Sequence, residues 1–160
     1  MRIIVMSDSH KNYSAVEKIV RRNLDADMFI HLGDGESDVD NVILKYPEVA
    51  SRFVHVSGNC DLGSLSPSVY IMPLGGHKIF ASHGHLQAVK YSLDLIKEAA
   101  EQNGCDIILY GHTHVRHNSY ENGIYIMNPG SASIPHDGKK PSFGCIDISE
   151  AGVLTNIADV

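Results

Sequence analysis

The sequence predicts a mixed α/β (α+β) fold, and two observations carry this prediction. In the first half of the 160-residue chain, short apolar segments alternate with amphipathic segments, which is typical of parallel strands with helices packed outside. In the second half, apolar segments are separated by turn sequences, which indicates antiparallel hairpins. A sandwich with both kinds of strand pairing satisfies both halves. The length is that of one domain, so we expect a single domain over residues 1–160.

The elements of the first half follow from hydrophobic periodicity. Ser14 and Glu17 are spaced as a capping box, which predicts that the first helix begins there. Apolar residues then recur at helical spacing, and Pro47 follows a second segment of this kind, as expected just past a helix end. Short β-branched runs predict three strands, at Arg2–Met6, Met28–Leu32 and Arg52–Val56.

The second half contains one long helix among hairpins. An apolar stripe predicts this helix near Gln87–Asn103, with Gly104 as its stop. Turn residues at Pro73–Gly76 and at Asn122-Gly123 predict two hairpins. The remaining strands are predicted from apolar runs, at Ser68–Met72, Lys78–Ala81, Ile107–Tyr110, Phe143–Ile148 and Val153–Ala158.

Composition excludes several classes of function. The formal net charge of −6 argues against a duplex nucleic acid or an anionic membrane as partner. No apolar run approaches the roughly 18 residues that a membrane span needs, and the N-terminal run is too short for a signal peptide. Three cysteines without framework spacing are typical of a reducing compartment, so we expect a cytoplasmic protein.

Five predicted strands break abruptly into residue types that bind metals. These strand ends are Asp8-Ser9-His10, Gly33-Asp34, Gly58-Asn59, His83-Gly84-His85 and Gly111-His112-Thr113-His114. Because ligands bind beyond the carboxyl ends of strands in open α/β sheets, these side chains should converge. Taken singly, each fragment has an ordinary alternative: a turn at Asp34 or Asn59, or two surface histidines at His112 and His114. The joint occurrence of all five favours a metal site.

This ordered set resembles the calcineurin-like metallophosphoesterase superfamily, and in its short length the small YfcE-type phosphodiesterases. The resemblance implies a four-layer αββα sandwich of two mixed β-sheets flanked by helices, with a binuclear metal centre at one edge. One ion would be bound by Asp8, His10, Asp34 and His114, and the other by Asp34, Asn59, His83 and His112. Asp34 would bridge the ions, and these seven residues together would form the catalytic site.

The ligand chemistry agrees with this mapping. Imidazole, carboxylate and amide donors without thiolate suit Mn²⁺, Fe²⁺, Ni²⁺ or Zn²⁺ better than a structural zinc site. We expect Mn²⁺ first, with Ni²⁺, Fe²⁺, Zn²⁺ or Mg²⁺ as alternatives. Two such ions can hold a bridging hydroxide near neutral pH, and their charge attracts an anionic phosphate despite the acidic chain.

Asn59, Cys60 and His85 are the predicted substrate contacts, while Lys11 replaces a glycine frequent in the family. His136, with Lys139 and Lys140, lies either at the mouth of the site or in a solvated loop, and we favour the solvated loop.

The predicted function is a metal-dependent phosphodiesterase, with a small phosphodiester as substrate and a nucleotide as one candidate. Two alternatives stay open: a phosphomonoesterase of the same superfamily, and a non-catalytic scaffold like the retromer subunit of this fold. Scaffold versions lack ligand histidines, whereas all seven ligand positions are filled here. Cysteine at position 60, where related monoesterases have histidine, favours diesters. A homo-oligomer is compatible with the sequence.

Overall fold

Two five-stranded β-sheets form the centre of the computed structural model, which describes residues 1–160. The strands are β1 (Arg2–Met6), β2 (Met28–His31), β3 (Phe53–His55), β4 (Val69–Leu74), β5 (His77–Ser82), β6 (Ile107–Tyr110), β7 (Arg116–Glu121), β8 (Ile124–Pro129), β9 (Ser142–Ser149) and β10 (Gly152–Asp159). The helices are α1 (Tyr13–Arg22), α2 (Glu36–Lys45) and α3 (Asp94–Gln102), and a 3₁₀ helix covers Pro47–Arg52.

Both sheets are mixed. The first has the strand order β10-β9-β1-β2-β3. In it β1, β2 and β3 are parallel to one another, β9 is antiparallel to β1, and β10 is antiparallel to β9. The second has the order β4-β5-β6-β8-β7, with a parallel centre and antiparallel edges. The prediction of strand-helix alternation followed by hairpins is therefore confirmed, and each half of the chain contributes to both kinds of pairing.

Three apolar clusters hold four layers together. The central cluster lies between the sheets and includes Val5, Ile30, Ile79 and Leu109. The outer face of the first sheet packs against α1 and α2, and the outer face of the second sheet packs against α3. This is the αββα sandwich that the sequence analysis expected. None of the helices is both long and apolar enough to cross a membrane.

The start of α1 differs from the prediction. The N-cap is Asn12, whose side-chain oxygen accepts a hydrogen bond from the Ala15 amide at 3.2 Å. Ser14 lies inside the first turn, and Glu17 bonds Lys45 and Tyr46 of α2 instead of the helix terminus. The capping box was wrong because tertiary partners compete successfully for the glutamate.

The long helix is also shorter than predicted. Residues 87–91 form turns, and α3 begins only at Asp94, whose amide donates a hydrogen bond to the Ser92 hydroxyl. Ala88 has a φ of 52°, a left-handed conformation that no helix contains. Val89 of the predicted stripe still packs with Ile96 and Ala100, so the pattern was right about burial and wrong about helicity.

Candidate metal centre

Five loops at one edge of the sandwich bring together all seven predicted ligands. The loops follow β1, β2, β3, β5 and β6, and they carry Asp8, His10, Asp34, Asn59, His83, His112 and His114. Backbone hydrogen bonds join neighbouring loops: the Asp8 amide donates to the Gly33 carbonyl at 3.0 Å, and the Gly111 amide donates to the His83 carbonyl at 3.1 Å. The expected convergence at the strand ends is therefore present in the structure.

The first donor set consists of Asp8 Oδ1, His10 Nε2, Asp34 Oδ2 and His114 Nε2. His114 Nε2 lies 3.2 Å from Asp8 Oδ1 and 3.1 Å from His10 Nε2. His10 Nε2 is 3.9 Å from Asp8 Oδ1 and 3.8 Å from Asp34 Oδ2. Metal–ligand bonds of about 2.1 Å place two ligands of one ion about 3–4 Å apart, so these separations suit a common cation.

The second donor set consists of Asp34 Oδ2, Asn59 Oδ1, His83 Nε2 and His112 Nδ1. His83 Nε2 lies 3.5 Å from Asp34 Oδ2, 3.2 Å from Asn59 Oδ1 and 3.1 Å from His112 Nδ1. Asp34 Oδ2 therefore belongs to both donor sets. A shared carboxylate oxygen is what two neighbouring cations need to reduce their mutual repulsion.

Hydrogen bonds to carbonyl groups fix the histidine tautomers. His83 Nδ1 donates to the Leu32 carbonyl at 2.7 Å, and His114 Nδ1 donates to the Ile134 carbonyl at 2.7 Å. A carbonyl oxygen only accepts, so the proton of each neutral ring is on Nδ1 and the lone pair is on Nε2. Both lone pairs point into the donor sets. Metal-binding histidines are typically oriented by hydrogen bonds of this kind.

The donor set fits divalent cations. Asp8 is fully buried, and its Oδ1 atom has no hydrogen-bond partner, although buried carboxylate oxygens are normally satisfied. Asp8 Oδ2 accepts hydrogen bonds from the Ser7 hydroxyl and the His112 amide, which leaves Oδ1 directed at His114 and His10. Nitrogen and oxygen donors without a required thiolate suit Mn²⁺, Fe²⁺, Ni²⁺ or Zn²⁺.

Electrostatics keep the Asp8 carboxylate charged and His112 neutral. Burial raises the pKa of Asp8, but the neighbouring His114 and His83 rings and the hydrogen bond from the Ser7 hydroxyl outweigh it, and the net pKa is lowered. Burial, with the neighbouring His83, lowers the pKa of His112 to about 4. Ionised carboxylates and neutral imidazoles are the protonation states that bind metals.

Five of the seven predicted ligands have left-handed backbone conformations. The φ angles are 55° at Asp8, 48° at His10, 59° at Asp34, 66° at His112 and 57° at His114. Such conformations cost about 1 kcal/mol or more for residues other than glycine, and they cluster at functional sites. The five residues lie just beyond the ends of β1, β2 and β6. Sequence patterns gave no indication of these left-handed conformations.

Two glycines allow the second and third loops to approach closely. A side chain at Gly58 would collide with the Asp34 carboxylate, and a Cβ atom at Gly33 would lie 2.7 Å from the Gly58 amide nitrogen. Gly33 also has a φ of 97°, which other residues rarely adopt. These glycines are therefore required by the contact between the loops.

Asp61 is a site residue that the sequence analysis did not identify. Its Oδ2 accepts hydrogen bonds from the amides of Asp34 at 2.7 Å and Gly58 at 2.8 Å, and its Oδ1 accepts from Gly35 at 2.9 Å and Glu36 at 3.0 Å. Burial raises the pKa of Asp61, but these amides and His55 lower it well below its usual range. Asp61 thus fixes the loop of Asp34 to the loop of Asn59 and caps α2.

A buried chain behind the site was also missed. The Gly33 amide donates to His31 Nδ1 at 3.2 Å, so the ring proton is on Nε2, which lies 3.2 Å from the Ser9 hydroxyl. Ser9 in turn donates to Asp38 of α2 at 2.6 Å. Burial, followed by the nearby His55, lowers the pKa of His31 to about 3. This neutral ring joins the first two ligand loops to α2.

The loop after β8 supports the site from the opposite side. Asn128 is buried and donates to the Gly111 carbonyl at 2.8 Å, while the Ser131 hydroxyl donates to the Asp8 carbonyl at 2.7 Å. The sequence Asn128-Pro129-Gly130-Ser131 ends an apolar strand in polar residues, as the five ligand loops do. That signal could have identified this loop as part of the site.

The predicted substrate contacts surround the donor sets. Cys60 is exposed, and its amide donates to Asp34 Oδ1 at 2.7 Å. The His85 ring centroid lies 5.3 Å from that of His83 and 6.1 Å from that of His112. His136, assigned to a solvated loop, is exposed but stacks on His114 with centroids 4.3 Å apart. His136 therefore borders the first donor set.

The chain is similar to the proteins of one known family. A family model described as the calcineurin-like phosphoesterase superfamily domain matches residues 1–151. The probable metallophosphoesterase YsnB of Bacillus subtilis is 28% identical over 160 residues, covering 99% of this chain and 91% of that protein. Phosphodiesterase YfcE of Escherichia coli (strain K12) is 28% identical over 176 residues, covering 96% and 91%.

A solved structure and a further relative extend these findings. The crystal structure of a predicted phosphoesterase from Streptococcus pneumoniae TIGR4 has a TM-score of 0.83 and 29% identity, covering 99% of this chain and 88% of that one. Vacuolar protein sorting-associated protein 29 of Schizosaccharomyces pombe is 34% identical over 115 residues, covering 66% of this chain and 61% of that protein. The fold thus also occurs in proteins named for sorting.

Proposed function

Since the chain belongs to the calcineurin-like phosphoesterase superfamily, we propose that it hydrolyses small phosphodiesters at a centre of two divalent metal ions. One observation carries the proposal: two donor sets meet at the shared Asp34 Oδ2, with their lone pairs directed inward. The two sets together contain seven ligand residues, which is more than a single ion requires.

The residues of each donor set have distinct tasks. One ion would be held by Asp8, His10 and His114. The other would be held by Asn59, His83 and His112, and Asp34 would bind both ions. Bound divalent ions, of which Mn²⁺ is our first choice, supply Lewis acidity and a nucleophile at neutral pH. The only side chains that could carry a positive charge within 4.0 Å of the buried Asp8 and Asp34 carboxylates are histidines.

Cys60 supports a preference for diesters. A monoester dianion that expels an alkoxide gains most from a proton donor beside the leaving group. Burial, followed by the nearby Asp34 carboxylate, raises the pKa of the Cys60 thiol to about 11, which makes it a poor proton donor. A diester with a good leaving group depends less on such a donor.

The test compares bis(4-nitrophenyl) phosphate with 4-nitrophenyl phosphate, each assayed with Mn²⁺, Ni²⁺, Zn²⁺ and Mg²⁺ and after chelation. We expect metal-dependent hydrolysis that favours the diester in kcat/KM. Equal rates with and without chelator, or a monoester preference, would contradict the proposal.

A pair of variants tests the role of Cys60. Cys60→His should raise the ratio of monoesterase to diesterase activity, because imidazole donates a proton near neutral pH. Cys60→Ala controls for simple loss of the thiol and should leave the ratio unchanged. If Cys60→His also leaves the ratio unchanged, this position does not select the substrate class.

The partner we propose is a small diester in the cytoplasm. A scaffold role, as the name of the sorting protein suggests for that relative, would leave the inward-facing histidine lone pairs without a function. An inactive chain that binds no metal would favour the scaffold role instead.

A further inference from the structure

A cavity of about 240 Å³ opens beside the candidate metal centre. Its lining includes two of the predicted metal ligands, His10 and Asp34, and five further residues, Lys11, Gly35, Ser37, Cys60 and Asp61. This volume is just below the usual range for a whole ligand, about 300–1,000 Å³, so it suits one substituent of a phosphate ester. The cavity thus extends from the proposed reaction centre over the first turn of α2.

Lys11 is the one lysine or arginine in this lining. The two acidic groups of the lining are already engaged: Asp61 accepts four backbone hydrogen bonds, and Asp34 lies between the donor sets. Lys11 itself is exposed, and the ion pairs of the structure involve other cations. Its charge is therefore free to act on a group that enters the cavity.

The backbone at Lys11 gives an independent indication. The Asn12 amide donates to the Ser9 carbonyl at 2.9 Å, and the two central residues of this turn, His10 and Lys11, have φ angles of 48° and 66°. This is the φ pattern of a type I′ turn, whose central positions strongly favour glycine, asparagine and aspartate. Lysine is unfavourable here, and its side chain makes no hydrogen bond or ion pair within the protein that would compensate for it.

We propose that Lys11 selects phosphodiesters in which one alcohol substituent carries a second phosphate. This inference rests on the proposed phosphodiesterase function, because it places the reacting phosphate at the metal centre and the second phosphate in the cavity. The lysine ammonium group acts there as a point charge, which is a common way for proteins to bind phosphate. The exposed hydroxyl of Ser37 lines the same space.

The matched probes are thymidine 5′-(4-nitrophenyl phosphate) with and without a 3′-phosphate. For the wild type we expect KM to be about tenfold lower for the 3′-phosphorylated probe, the size of one charge-assisted hydrogen bond. Lys11→Met should abolish this difference in KM and leave kcat nearly unchanged, because a remote contact stabilises ground state and transition state alike. Lys11→Arg should retain the preference.

Two controls separate charge from structure. Lys11→Gly removes both the charge and the unfavourable backbone, so it should lose the preference without losing thermal stability. Lys139→Met removes an exposed lysine outside the cavity and should change neither KM. If Lys11→Met instead lowers kcat equally for both probes, Lys11 acts only by positioning His10, and the proposal is wrong.

Failure of the two proposals can be told apart. Hydrolysis of the unphosphorylated probe tests the phosphodiesterase function alone. If neither probe is hydrolysed, calorimetric binding of thymidine 3′,5′-bisphosphate and thymidine 5′-monophosphate to the Mn²⁺-loaded protein still tests Lys11. Tighter binding of the bisphosphate that is lost in Lys11→Met supports selection by Lys11, and equal binding of the two nucleotides overturns it.

Discussion

Replacing Asp61 with asparagine should destabilise the protein far more than the loss of one surface charge would. Asp61 accepts four backbone hydrogen bonds, two on each oxygen, at 2.7–3.0 Å, and its side chain is only 7% exposed. Asparagine keeps one oxygen, so two amide groups would face an NH₂ group. At about 1–3 kcal/mol for each stranded donor, we expect a loss of about 4 kcal/mol.

Chemical denaturation of the chelated protein measures this loss. Asp40→Asn is the matched control, because Asp40 is exposed on α2, and it should change the free energy of unfolding by less than about 0.5 kcal/mol. For a chain of this size, Asp61→Asn should lower Tm by about 8–16 °C. A difference between the two variants below about 1 kcal/mol would refute the assignment of Asp61 as the residue that joins the loops.

Three further predictions concern the site and the residues behind it. Asp34→Ala should reduce bound metal below one equivalent by elemental analysis and lower kcat/KM more than about 100-fold, beyond the usual effect of residues that only orient ligands. His85→Ala should keep its metal content and lose about 10–100-fold in rate; loss of metal would show that His85 binds it. The pKa of His31 is about 3 when folded and near 6.5 when unfolded, so protonation of the unfolded chain should remove about 1.4 kcal/mol of stability per pH unit below about pH 6. Urea titrations with chelator should show a correspondingly smaller pH dependence in His31→Gln, and an unchanged slope would contradict the burial of a neutral ring.

The ligand loops could be predicted because each follows a buried strand. An apolar β-branched run fixes the strand, and the polar residues after it lie at the carboxyl end, where parallel strands meet. Asp8, Asp34 and His83 were found in this way, and the structure buries all three. The same reasoning placed Val89 in the core while overestimating the helix around it, because a left-handed residue such as Ala88 leaves no trace in hydrophobic periodicity.

The supporting residues could not be predicted because their partners are distant in sequence. Asp61 bonds the amides of Asp34, Gly35 and Glu36, which are 25 to 27 residues away, and His136 stacks on a ring 22 positions earlier. Local patterns carry no information about such contacts. The left-handed backbone of the ligand residues could not be predicted from local patterns either, since it is imposed by the loops that pack around it.

Metal titration of the chelated protein tests the central claim most directly. Mn²⁺ is added in known equivalents, bound metal is measured by elemental analysis, and hydrolysis of bis(4-nitrophenyl) phosphate is followed in the same samples. We predict that binding and activity saturate together at two ions per chain. Saturation at one ion, no bound metal, or full diesterase activity before metal is added would contradict the assignment of two donor sets that share Asp34.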